Sequence, residues 1–207
     1  MRILIANDKF KGSLTAEKAG YHLKNSLKNV FSGALFDLCP IADGGEGTAL
    51  AMTTALAGEW TQITTQDALG RPIEAPFGWV ASSATAIMEM SAASGLEIVQ
   101  DLKLNPLTAS TLGTGILIQS ALAKGARRIL IGIGGSATND GGLGVAIALG
   151  YTFKKAGLPF NPTLETILEA DQLEKPASLP AFELIVACDV DNPLLGPRGA
   201  TRVYGPQ

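Results

Sequence analysis

Arg128-Ile-Leu-Ile-Gly-Ile-Gly-Gly-Ser-Ala-Thr-Asn-Asp-Gly-Gly142 runs from an apolar, β-branched segment straight into a loop of four glycines, one acid and two hydroxyls. The residue types of 127–133 make a buried strand, and Leu143 to Leu149 behind the loop makes a small apolar helix. Strand, glycine loop and helix in that order build a parallel α/β layer, whose ligands gather beyond the carboxyl ends of the strands. Few side chains screen the backbone N–H groups of Gly134 to Gly142, and the helix directs its positive end outward, so phosphate is the expected guest. The alternative is a tight strand-to-helix turn that needs only glycine φ angles. The Walker pattern G-x-x-x-x-G-K-[ST] occurs nowhere in the chain. Gly132-Ile-Gly134-Gly-Ser-Ala137 fits the dinucleotide form G-x-G-x-x-A, but Lys154 and Lys155 stand where that form needs an acid, about twenty residues on.

Toward the N-terminus the same alternation recurs. Arg2 to Ala6 is a short strand of buried type, and Ala16, Ala19, Leu23, Leu27 and Val30 recur at spacings of three and four, which predicts a helix with one apolar face. Ser13 or Thr15 can cap that helix, Glu17 suits its positive end, and Gly33 follows its last turn. His22, the only histidine, falls on its polar side and reads as a solvated residue. Ala34 to Cys39 predicts a second strand, Asp43-Gly-Gly-Glu-Gly-Thr a turn, and Ala49 to Ala57 an apolar helix closed by Gly58.

After Trp60 the character changes. Segments around Ile63, Ile73 to Val80 and Thr85 to Met90 are short and strand-like, with turns between them that suit antiparallel pairing. The expected division is therefore residues 1–66 as the N-terminal part of a Rossmann-like domain and 67–207 as part of a mixed α/β domain. Thr108 to Lys124 predicts a helix ending at Gly125, Asn161-Pro-Thr starts another whose Leu164, Ile167 and Leu168 share a face, and Leu184 to Cys188 is a last buried strand.

Composition excludes several classes of function. The 207 residues are 46% hydrophobic and 17% charged with net charge −3, enough to bury a core in one large or two small domains. No run of Lys or Arg is long enough to follow a nucleic-acid backbone, and no apolar stretch approaches the ~20 residues of a membrane span. The start of the chain does not have the form of a signal peptide, so the expected location is the cytoplasm. Cys39 and Cys188 are the only cysteines and form no CxxC pair.

Each strand end carries chemistry. Asn7-Asp-Lys-Phe-Lys-Gly-Ser13 sets two cations and an acid before a helix, where Lys11 can hold phosphate or carboxylate as a movable point charge, or the segment is a solvated turn. Asp43-Gly-Gly-Glu46 spaces two carboxylates that can coordinate Mg²⁺, accept a hydroxyl proton or cap the next helix. Asp189 and Asp191 offer further oxygen ligands, or Asn192-Pro193 simply turns the chain. Glu89, inside Ala-Ile-Met-Glu-Met, needs a partner if it faces the core; an edge or solvent-facing position is the simpler account.

Seven stretches in order carry a resemblance: Asp8-Lys-Phe-Lys-Gly-Ser-Leu-Thr, Ile41-Ala-Asp-Gly-Gly-Glu-Gly-Thr, Met88-Glu-Met-Ser-Ala-Ala-Ser-Gly-Leu, Asn105-Pro-Leu, Gly113-Thr-Gly, Gly132-Ile-Gly-Gly-Ser-Ala-Thr-Asn-Asp-Gly-Gly and Ala187-Cys-Asp-Val-Asp-Asn-Pro-Leu. Together they resemble the glycerate kinase family across the whole chain. The first stretch departs from the family form, Pro-Asp-Ser-Phe-Lys, at Asn7 and Lys9, so Asp8 and Lys11 are carried over without their neighbours. Family members run to nearly twice this length, which makes the chain resemble an N-terminal portion.

The resemblance implies a Rossmann-like parallel layer, incomplete here, plus a mixed α/β second domain. It implies transfer of the γ-phosphoryl group of ATP to a hydroxyl of D-glycerate, giving 2-phosphoglycerate, a reaction that depends on positioning and charge neutralisation. On that basis Gly134, Gly135, Ser136 and Thr138 hold phosphate oxygens, Lys11 and Arg198 meet phosphate or the glycerate carboxylate, and Mg²⁺ sits among Asp43, Glu46 and Asp189. Asp189 or Asp8 takes the hydroxyl proton. An open sheet edge would bring self-association or pairing with a missing C-terminal half. Two other classes stay open: a non-catalytic fragment that binds nucleotide or a partner, and an NADP-dependent oxidoreductase using Gly132 to Ala137.

Overall fold

Strand and helix alternate from the first residues of the computed structural model, which describes residues 1–10 and 13–206. Strand β1 (Arg2–Ile5) leads to helix α1 (Ala16–Val30), then strand β2 (Leu35–Leu38), which pairs parallel with β1. Thr15 is the residue that caps α1, its hydroxyl accepting from the Lys18 amide at 3.3 Å. Helix α2 (Thr48–Ala55) follows at the predicted place.

Strands β3 (Glu59–Gln66), β4 (Pro72–Val80) and β5 (Thr85–Glu89) form an antiparallel meander. Asp67, at the expected start of the second domain, opens the turn between β3 and β4, and both strands lie in one sheet. Two short helices, α3 (Ser91–Ser94) and α4 (Leu96–Val99), precede the longer α5 (Leu112–Ala123). Strand β6 (Arg128–Gly132) then pairs parallel with β5, the glycine loop follows, and α6 (Leu143–Ala148) packs against α5.

Residues 152–174 depart from the expected helix. Strands β7 (Thr152–Lys155), β8 (Leu158–Phe160) and β9 (Gln172–Glu174) form a small antiparallel sheet, and the Leu164 to Leu168 segment supplies only a 3₁₀ turn at Ile167–Glu169. Periodicity alone makes no helix where its apolar face has nothing to cover, and Leu168 is 94% exposed. Strand β10 (Glu183–Ala187) pairs parallel with β6, and helix α7 (Ala200–Tyr204) ends the described chain.

The main sheet therefore runs β10-β6-β5-β4-β3. Phe77, Met88, Leu117, Ala121 and Ile129 form the principal core between one face and α5, while Ala49 of α2 meets Val80 and Ile87 on the other. Covered on both faces, β5 is buried along its whole length, as a central α/β strand should be. The expectation of buried strands fails for β1 and β10. Leu4 is 65% exposed and Leu184 50% exposed, because no second layer covers them among the described residues.

Candidate functional site

Three loops converge at the carboxyl ends of the parallel strands, and glycines let them touch through backbone. A Cβ on Gly134 would stand 2.7 Å from the Gly45 Cα, and one on Gly44, whose φ is +91°, would stand 2.8 Å from the Ala187 carbonyl oxygen. The loop after β6 thus packs on the 43–47 loop, which packs on the end of β10. The Gly134 amide donates to the Gly44 carbonyl at 3.2 Å, the Leu96 amide to the Gly135 carbonyl at 2.9 Å, and the Ala137 amide to the Ser94 carbonyl at 2.8 Å.

Between these loops lies a cavity of about 600 Å³. Gly134, Gly135, Ser136 and Thr138 line it, as do Asp43 and Asp189. Gly134 and Ala137 already bond their amides internally, whereas the amides of Gly135, Ser136 and Thr138 meet no protein acceptor among the described residues. Three of the four predicted phosphate positions therefore keep an unpaired backbone donor on residues that line one space. The helix-dipole part of the expectation changes. Asp140, almost fully buried, accepts from the Thr111 amide and hydroxyl at 2.8 and 2.9 Å and from the Gly142 and Gly144 amides at 3.0 and 3.1 Å. The loop's own acid thus occupies the start of α6 and joins it to α5.

A second cavity, of about 410 Å³, is lined by Asp8, Glu46, Glu89 and the aromatic rings of Phe10 and Trp60 among others. The 43–47 loop contributes to both spaces, so Asp43 and Glu46 face different cavities. Among the described residues no group of three or more His, Cys, Asp or Glu side chains is arranged to hold a metal ion. Asp43 and Asp189 remain a pair of hard oxygen donors on the larger cavity. The Asp43 carboxyl lies below the ordinary range because the Gly45 amide donates to it at 3.0 Å and Lys9 stands 3.7 Å away, which outweigh partial burial. Arg198 is exposed and lines neither cavity; its carbonyl accepts from Asn192 at 2.9 Å. Lys11 lies outside the described residues.

Two side chains given no site role by the sequence connect the loops. The Lys9 ammonium donates to the Glu46 carbonyl at 2.7 Å and so ties the first loop to the second. Glu89 is not at an edge: it is buried at the end of β5, where its carboxylate accepts from the Ala49 amide at 2.6 Å and the Ser91 hydroxyl at 3.1 Å. Burial pushes that carboxyl up, and those two donors pull it partly back. A glutamate inside a run of otherwise buried apolar residues was the signal.

No helix among the described residues is long and apolar enough to cross a membrane. A family model described as the glycerate kinase family matches residues 3–207. A glycerate kinase from Bacillus subtilis (strain 168) is 46% identical over 211 residues, covering all of this chain and 55% of the relative. A glycerate 2-kinase from Escherichia coli (strain K12) is 42% identical over the same length, with the same coverage. A crystal structure from Salmonella typhimurium LT2, given the provisional name glycerate kinase 2, superposes with a TM-score of 0.85 at 39% identity, covering all of this chain and 57% of that one. The chain spans about half the length of the curated relatives it matches. With the seven ordered motifs, the mixed α/β architecture and these matches in agreement, the chain belongs to the glycerate kinase family.

Proposed function

We propose that the chain forms the phosphate-holding part of an ATP-dependent kinase that phosphorylates D-glycerate to 2-phosphoglycerate. The observation that carries this reading is the set of free amides at Gly135, Ser136 and Thr138 on a cavity large enough for a nucleotide's phosphates. Backbone donors suit anionic oxygens whose charge is spread over several atoms, as in phosphoryl transfer.

Charge balance supports a divalent cation. Among the described residues, those lining the larger cavity include Asp43 and Asp189 and no Lys or Arg, so a triphosphate entering alone would meet like charge there. Mg²⁺ is commonly held by one or two carboxylates together with substrate phosphates and water, and the pair present fits that donor set. Glu46, on the other cavity, is outside it. When bound, the cation would neutralise charge on the phosphate oxygens. Asp8 faces the smaller cavity and Asp189 the larger, so the carboxylate that accepts the hydroxyl proton depends on which space admits glycerate. Lys11 is the cation we assign to phosphate or the glycerate carboxylate; Arg198 lines neither cavity, so its assignment rests on the family resemblance alone.

Calorimetric titration with ATP, with and without Mg²⁺, tests the reading, joined to a coupled assay for ADP formed from ATP and D-glycerate on this chain and on a lengthened one. Mg²⁺-dependent ATP binding, with D-glycerate-dependent ADP release in the lengthened chain, is expected. NADP binding in place of ATP, or ATP binding with no turnover in either chain, would overturn it.

A further inference from the structure

We propose that Glu89 is a positioning residue that fixes the 43–48 segment against the glycine loop from the centre of the sheet. The inference rests on the reading that these two loops hold the phosphates and their cation.

Helix α2 begins without a local cap. Its N-cap residue is Gly47 at φ +94°, which has no side chain to accept from the first turn, and that turn holds no acid. Glu89, forty residues away in sequence, supplies the acceptor through the Ala49 amide. Glu89 is also in parallel register with Gly132, the last residue of β6, and the Met90 amide donates to the Gly132 carbonyl at 2.8 Å. One carboxylate is thus built into the strand pair that launches the glycine loop while it holds the helix that follows the 43–47 loop.

Apart from the Lys9 ammonium, which reaches the Glu46 carbonyl from the first loop, the other ties on that loop are local or made by backbone. Thr48 bridges the Gly44 amide and the Gly45 carbonyl at 3.1 and 2.7 Å, and Gly44 meets Gly134 through main-chain atoms. Among the described residues, Glu89 is the side chain that reaches this segment from the sheet interior. An apolar residue would fill the same volume at lower cost in desolvation, so the carboxylate is explained by what it holds.

The test uses Glu89→Met, which keeps volume and removes the acceptor, and Glu89→Gln, whose amide oxygen still accepts from Ala49. The Met variant sheds the cost of burying a carboxyl but leaves the Ala49 amide and the Ser91 hydroxyl without their acceptor, so the two effects oppose and it should stay folded with a melting temperature within a few degrees of the parent. Its Ala49 and Gly134 amides should nevertheless exchange with solvent faster by about tenfold, while the Leu117 and Ile131 amides stay at parent rates. Mg²⁺-ATP affinity should fall by roughly fivefold or more, with Gln restoring it to within about twofold. Parent exchange rates at Ala49 and Gly134 in folded Glu89→Met, or a uniform rise across the core, would overturn the inference. If the parent chain binds no ATP, the phosphate reading fails, and the exchange pattern still decides whether Glu89 fixes the loop.

Discussion

The amide of Gly134 donates to the carbonyl of Gly44 at 3.2 Å, and among the described residues no side-chain hydrogen bond joins the two loops on the larger cavity. No side-chain substitution can tune that contact without first passing through glycine. A Cβ at residue 134 would come within 2.7 Å of backbone that cannot rotate away. Gly134→Val should therefore displace the 43–47 loop and reduce ATP affinity by at least about tenfold while β6 and α6 persist, since the contact is between loops and outside the core. Titration calorimetry with circular dichroism checks both halves. Unchanged affinity in the folded variant would remove phosphate from this loop and leave a tight turn.

Asp43 and Asp189 separate a metal role from a structural one. Asp189 is exposed, and Asp43 accepts from its own turn at Gly45 with Lys9 3.7 Å away in a half-exposed pair, so replacing either by Asn should change stability by about 1 kcal/mol or less. In a lengthened chain, Mg²⁺-dependent turnover should fall by orders of magnitude, because a ligand is lost as charge with volume unchanged. Sharp drops in melting temperature with no recovery at raised Mg²⁺ would make both acids structural.

Asp140 should behave in the opposite way. Its carboxylate satisfies three amides and one hydroxyl at the junction of α5 and α6. Asp140→Ala strands those donors in a nearly dry place and should cost about 3 kcal/mol, read from chemical denaturation. A loss below about 1 kcal/mol would mean that water replaces the carboxylate, and the start of α6 would then be open to an anion.

Local patterns were legible where a face had something to cover. β1, α1, β2 and α2 stand where periodicity and caps place them, and the glycine loop lies between β6 and α6 as its sequence suggests. What failed was partnership across space. The Leu164 to Leu168 pattern promised a helix but met no core, and Glu89 and Asp140 owe their roles to donors on helices 40 and 29 residues away. Composition cannot reveal such pairings, although a lone acid in an apolar strand announces that one exists.

Asp67 gives the fold a pH dependence of known sign. Its side chain is fully buried, which raises its pKa, but the Arg71 guanidinium and the Leu69 and Arg71 amides outweigh burial and hold the carboxyl below its ordinary value. A depressed native pKa contributes stability above the unfolded value, about 3.9, and loses it as pH falls through the native one. Asp67→Asn should therefore cost about 2 kcal/mol at pH 7, and the gap to the parent should narrow below about pH 4. A gap independent of pH from 7 to 3 would show that packing, not charge, is what the substitution removed.

The last expectation concerns β10, the edge of the five-stranded sheet. Leu184, Ile185 and Val186 are 50%, 37% and 47% exposed on a strand whose outer backbone groups have no neighbouring strand among the described residues. Such an edge pairs readily with another strand or buries its apolar side chains against another chain. The 207-residue chain should self-associate reversibly at micromolar concentration, and Leu184→Lys with Val186→Lys should return it to monomer without lowering its melting temperature by more than a few degrees. Phosphoryl transfer depends on exact placement of its groups, so D-glycerate turnover by this chain should lie well below that of a lengthened one. Light scattering and the coupled assay measure the two properties on the same sample. A monodisperse monomer that turns over D-glycerate at the rate of the lengthened chain would show that the edge needs no cover and that residues 1–207 hold a complete site.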